Sequence, residues 1–271
     1  MNSARDLRRR IRSVGSTSQI TKAMQMVAAS KMRKAQDAAL AGRPFVDLLY
    51  RIQREATTQM RDFKHPLLDV RPVRKRAVIL IGADKGLCGA LNTNLFRVAS
   101  QFIARTKRQL VAEFVYGDSP EFREARAIAA SAQQLFLKRE VDQVQIVATR
   151  FINTLTQEPL SVEFLPVGEI KALKIPGAEP EETLRSDTTA TVFEPSAEAI
   201  LGYLLSHYLE IYVYQVLLNA KASEQSARMV SMKNATDSAD HLIKDLTLEY
   251  NKLRQTSITN QLLEIEGGQA G

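Results

Sequence analysis

The chain has 271 residues, 45% apolar and 25% charged, an ordinary soluble composition with room for one or two domains and a sizeable core. A formal charge of +7 suits acidic partners, whether nucleic acid, anionic lipid or an acidic protein surface, without choosing among them. One cysteine, Cys88, excludes an internal disulfide and fits a reducing compartment; no apolar stretch follows Arg5, Asp6 and Arg8 as a secretory signal would require, and the run Ala77 to Ile81 is far too short to span a bilayer.

Residues 3–57 read as one long helix. Leu7, Ile11, Val14, Ser18, Thr21, Gln25, Ala28, Met32, Ala35 and Ala39 step alternately by four and three, the period of a coiled-coil seam. Ser18, Thr21 and Gln25 leave the middle of that seam polar, Gly15 is a soft spot, and Gly42 and Pro44 are expected to kink or interrupt the helix. A β-branched run, Arg76 to Ile81, then predicts a strand closed by the turn Gly82-Ala83-Asp84-Lys85-Gly86. Asn92 to Lys107 reads as helix, Leu110 to Tyr116 as a second strand ended by Gly117-Asp118, and Glu121 to Leu137 as helix. Val144 to Phe151 and Ser161 to Val167 read as two more strands. This alternation predicts a small α/β domain over residues 75–168. Residues 169–196, with Pro176, Gly177, Pro180 and Pro195, read as a loop or arm. From Ala197 to about Ile265 there is no proline, and Ala235, Ala239, Leu242, Leu246, Glu249 and Leu253 again step by four and three. Such a helix would be roughly 100 Å long, far more than a small domain needs. The tail from Gly267 to Gly271 is expected to fray.

Two long terminal helices bury their seams most simply against each other. The expected fold is therefore an α/β one: a long antiparallel coiled coil of residues 1–57 and 197–271, with a small Rossmann-like α/β domain inserted between them.

Local chemistry is sparse. The segment from Gly82 to Gly89 stands between a strand and a helix, where a phosphate loop would sit, but matches neither GxxxxGK[ST] nor GxGxxG. A tight turn that needs glycine is the better reading. Cys88 has no histidine near it in sequence and reads as a buried structural thiol. His65, His207 and His241 are scattered, and the serines lack a GxSxG context, so no catalytic, cofactor or metal residue is assigned. The first forty residues are lopsidedly basic: Arg5, Arg8, Arg9, Arg10, Arg12, Lys22, Lys31, Arg33 and Lys34 face only Asp6 and Asp37. That is either a solvated helix face or a surface for an acidic partner. It carries no interleaved aromatics for stacking bases.

Three stretches, spread along the chain, carry a family likeness. Ile11 to Val14 and Gln19 to Gln36 (QITKAMQMVAASKMRKAQ) resemble the N-terminal signature of ATP synthase gamma subunits. Asp84 to Asn92 (DKGLCGALN) resembles that family's glycine turn, and Ser223 to Asp237 with Tyr250 to Thr259 resemble its C-terminal signature. The resemblance implies a non-catalytic axle inside a ring of alpha and beta subunits. The axle's foot would bind epsilon and stand on a membrane ring of c subunits, whose ion-driven rotation would drive ATP synthesis or hydrolysis at the beta sites. It implies that Lys22, Met24 and Met26 meet an acidic lever of a beta subunit. Arg254, Gln255, Ile258 and Thr259 would meet a beta catch loop and the upper bearing, and Phe193 and Glu194 the c ring. It also implies a peripheral protein at the cytoplasmic face of a bacterial membrane. Departures are Ala90 in place of a second glycine, Gln261 in place of a glutamate, and no cysteine-rich insert between residues 185 and 225. Two other readings remain: a nucleotide-binding α/β protein on a coiled-coil scaffold, and a basic coiled coil that binds nucleic acid with steep salt dependence.

Overall fold

A computed structural model describes residues 4–42, 65–103, 110–167 and 197–268. Helix α1 runs Ala4–Ala41, and Gly42 forms a turn beyond it, where glycine and Pro44 were expected to interrupt the helix. The remainder of the predicted N-terminal helix, and the arm over residues 169–196, lie outside the described residues. A short 3-10 helix, Pro66–Leu68, precedes β1 (Arg76–Leu80) and α2 (Leu91–Ile103); α3 (Phe122–Leu137), β2 (Gln143–Phe151), β3 (Gln157–Leu165) and α4 (Ala197–Gly268) follow. At 72 residues, α4 realises the proline-free C-terminal stretch as one helix.

The chain divides into two compact units, one of Met1–Ala29 with Arg228–Gly271, the other of Ser30–Ala227. In the first, α1 and α4 pair antiparallel: Ser18 Oγ donates to Asp240 Oδ1 at 2.8 Å, and the Thr21 and Thr236 hydroxyls lie 2.7 Å apart in a buried contact. As the residue number rises on one helix, it falls on the other. The polar middle of the α1 seam is thus polar on both sides, and each buried hydroxyl has a partner. The α4 seam differs from the predicted one. Ala239, Leu246 and Leu253 face inward, but Leu242 and Glu249 are exposed, and Thr236, Ile243 and Tyr250 take the intervening places. Position +4 rather than +3 fills each repeat, and two adjacent apolar residues, Leu242 and Ile243, hide that choice from a reading of periodicity.

In the second unit a three-stranded sheet has the order β1-β2-β3, with β1 parallel to β2 and β2 antiparallel to β3. Central β2 is buried on both faces. Val144, Ile146 and Ala148 point into the main core with Phe136 of α3 and Leu209, Tyr212, Val216 and Leu217 of α4; Val147 points to the other face, against Leu95 and Ala99 of α2. Each such large side chain, fully removed from water, contributes about 1.5–3 kcal/mol.

The predicted strand Leu110 to Tyr116 does not form. Among the described residues the segment has no strand partner, and Leu110, Val111, Phe114 and Val115 are exposed. Strand propensity without a ladder and a face to bury does not make a strand. Conversely, β3 begins four residues before the predicted Ser161 and includes Pro159, opposite Thr149. Proline cannot donate to a ladder, but β3 is an edge strand and tolerates it.

Candidate functional site

The residues expected to meet partners are placed as follows. On α1, Lys22 is exposed, Met24 half-buried, and Met26 is 62% exposed with Ile20 and Val27 similarly bare. Lys22 and Met26 are four apart and share a helix face, so a cation stands beside an uncovered, flexible thioether. On α4, Arg254, Gln255 and Thr259 are exposed and Ile258 is 48% exposed. The structure does not bring the two groups together. Thr21 lies opposite Thr236, and Arg254 is a further eighteen positions along α4, roughly 27 Å at the rise of a helix. They form two separate zones on one helical pair. Phe193 and Glu194 lie outside the described residues.

The glycine turn is held by its own chain. Asn92, in the first turn of α2, accepts from the Ala83 amide at 3.0 Å and donates to the Ala83 carbonyl at 2.8 Å. Gly89 has φ +61, a left-handed backbone that favours glycine, whereas a Cβ on Gly82 would meet Asn92 Oδ1 at 3.4 Å, an ordinary contact. Ala90 is not among the residues with positive φ, so the alanine there needs no glycine-only conformation. Cys88 is buried and donates weakly to the Lys85 carbonyl, 3.7 Å away.

Among the described residues no group of three His, Cys, Asp or Glu side chains could hold a metal ion. A concavity lined by Ile146, Leu160, Val162, Tyr212 and Val216 has a volume of about 10 Å3, enough for one water molecule. Burial there pushes the Tyr212 phenol up to about 12. No helix among the described residues is long and apolar enough to cross a membrane.

Sequence reasoning missed a polar belt on α4. Lys221, Ser223, Glu224, Gln225 and Ser226 are all buried. Ser226 donates to the Thr154 carbonyl at 2.7 Å and Ser223 to that of Thr149 at 3.3 Å, so the helix docks on the β2–β3 hairpin by hydroxyl contacts. Lys221 pairs with Glu224 at 3.1 Å and with Asp118 at 3.5 Å. The signal was present as a polar run directly after an apolar one on a helix too long to be all surface. Its partners, about seventy and a hundred positions upstream, carry no pattern of their own.

A family model described as ATP synthase matches residues 3–115 and 99–271 of this chain. Proteins called ATP synthase gamma chain from Methylacidiphilum infernorum and Opitutus terrae are each 42% identical to it; the matches cover 99% of this chain and 99% and 98% of those proteins. A chain from the central stalk and c ring of Tetrahymena thermophila mitochondrial ATP synthase is 25% identical with a TM-score of 0.51, covering 80% of this chain and 99% of that one. A chain of the Euglena gracilis mitochondrial ATP synthase rotor has a TM-score of 0.57 at 19% identity, covering 94% of this chain and 98% of that one, a likeness of fold alone.

Proposed function

From the premise that the chain belongs to the ATP synthase gamma-chain family, we propose that it is the central rotary shaft of an F-type ATP synthase, coupling ion-driven rotation of a c ring to the catalytic beta subunits. It is a non-catalytic subunit: the nucleotide chemistry belongs to beta. The observation that carries the mechanical reading is the antiparallel pairing of α1 with α4 through Ser18–Asp240 and Thr21–Thr236, which turns two chain ends into one stiff element. A shaft works by contact rather than by a pocket. Its surface must present different side chains to three equivalent neighbours as it turns, and a helical pair with unlike faces does so.

In this reading the zone of Lys22, Met24 and Met26 meets an acidic lever of beta, where a cation draws the lever and flexible thioethers let it slide. Arg254, Gln255, Ile258 and Thr259 meet a catch loop and the upper bearing. Residues 75–168 form the α/β foot, and Phe193 and Glu194 in the arm over residues 169–196 reach the c ring, beside epsilon. The shaft would lie peripherally at the cytoplasmic face of a bacterial membrane, held there by its partners. Co-expression with alpha and beta subunits is the test. A complex holding one copy of this chain, with ATP hydrolysis coupled to ion pumping when the membrane sector is added, is expected. If the chain never co-purifies with alpha and beta, the reading fails. A nucleotide-binding protein would instead show heat of ATP binding to the isolated chain.

A further inference from the structure

Four segments far apart in the sequence meet at one carboxylate. Asp118 follows Gly117 in the loop leading to α3. Its Oδ2 accepts a 2.6 Å hydrogen bond from Lys31 Nζ on α1, while its Oδ1 lies 3.7 Å from Lys85 Nζ of the glycine turn and 3.5 Å from Lys221 Nζ of α4. Two residues earlier, Tyr116 donates its hydroxyl to the Gly82 carbonyl at 3.4 Å, and the Lys221 ammonium stands 5.7 Å from the Tyr116 ring centroid. The Lys221 side chain is 6% exposed and that of Glu224, 3.1 Å away, 4%. Exposed ion pairs contribute little to stability. This cluster differs because one of its ammonium groups is buried, and a buried charge left short of counter-charge is costly. Neutralising Asp118 removes the carboxylate that Lys31, Lys85 and Lys221 all contact, and takes one of its counter-charges from the buried Lys221.

We propose that Asp118 is a positioning residue that pins the glycine turn and the loop before α3 to both α1 and α4, so that torque in the two helices reaches the α/β domain without slip, a role that rests on the shaft reading above. Sequence gave Gly117-Asp118 no part beyond ending a strand that does not form. The carboxylate is in contact with all three lysines. Lys31 and Lys85 clamp it from the outside, and Lys221 holds it from within.

The test uses two readouts. In the complete membrane-bound complex, Asp118→Asn is expected to hydrolyse ATP while building a smaller ion gradient than wild type at a matched hydrolysis rate. Asp118→Glu, which keeps the charge, is expected to restore it. In the free chain, hydrogen exchange of residues 82–92 is expected to quicken in Asp118→Asn by about fivefold, the scale of losing one partly exposed ion pair. Should Asp118→Asn not fold, Lys31→Gln removes the shortest contact, leaves Lys221 and Glu224 paired, and is read in the same way. Unchanged pumping per ATP in an assembled Asp118→Asn or Lys31→Gln complex overturns the proposal, and so does unchanged exchange of the turn in the free chain. Failure of the wild-type chain to assemble with alpha and beta would instead remove the shaft reading, while the exchange measurement still decides whether the pin exists.

Discussion

Asp118 and Tyr212 show opposite ways of placing a polar group. The Asp118 carboxyl is held down to about 2, chiefly by the Lys31 hydrogen bond, with Lys221, Lys31 and Lys85 adding their charge, against an ordinary value of 3.8. A carboxyl depressed in the folded state stabilises it fully above the ordinary value, and that contribution disappears as pH falls through the folded one. Between pH 3.8 and about 2, wild type should therefore lose more stability than Asp118→Asn. Urea midpoints at each pH should converge toward the acid end, and parallel curves would count against the ion cluster. Tyr212 is 1% exposed, and its hydroxyl has no partner among the described residues. Removing an unsatisfied buried hydroxyl without changing shape is neutral to stabilising, by up to about 1 kcal/mol. Tyr212→Phe should raise the thermal midpoint or leave it unmoved, and a clear fall would mean that the hydroxyl is bonded in solution.

At the scale of elements, the helices and the strands were legible to different degrees. A seam stepping by four and three, free of proline, announces a long helix from local pattern alone. It does not announce which of two adjacent apolar residues lies inward. Ile243 is half-buried on the seam and Leu242 is 46% exposed. Ile243→Ala should therefore cost about 1–2 kcal/mol and Leu242→Ala less than about 0.5 kcal/mol in chemical unfolding. Equal costs would restore the phase in which Leu242 faces inward. Strands depend on partners, so Leu110 to Tyr116 carried the composition of a strand and remained unpaired, whereas β3 formed across Pro159 because its neighbour β2 lies on one side only. The docking of α4 on the β2–β3 hairpin, through Ser223 and Ser226, likewise joins residues that no local pattern relates.

For the whole molecule, most of the described residues proposed to meet partners are exposed, Lys22, Met26, Arg254, Gln255, Ile258 and Thr259 among them. Arg254 and Ile258 are exposed on α4, so Arg254→Glu should leave the stability of the free chain within about 0.5 kcal/mol of wild type. In the assembled complex the same change should weaken coupling between hydrolysis and pumping, or assembly itself. Normal coupling would remove Arg254 from the contact zone. The sequence by itself determined the two long terminal helices, the small α/β insert and the family, because periodicity, absent prolines and contiguous signatures are local properties of the chain. Tertiary structure alone decided the phase of the α4 seam, the pairing of Thr21 with Thr236, the loss of the strand at residues 110–116 and the meeting of Lys31, Lys85, Asp118 and Lys221. Each of these depends on which distant residue lies opposite. A buried hydroxyl or ammonium is stable only with a partner, and only the folded chain supplies one.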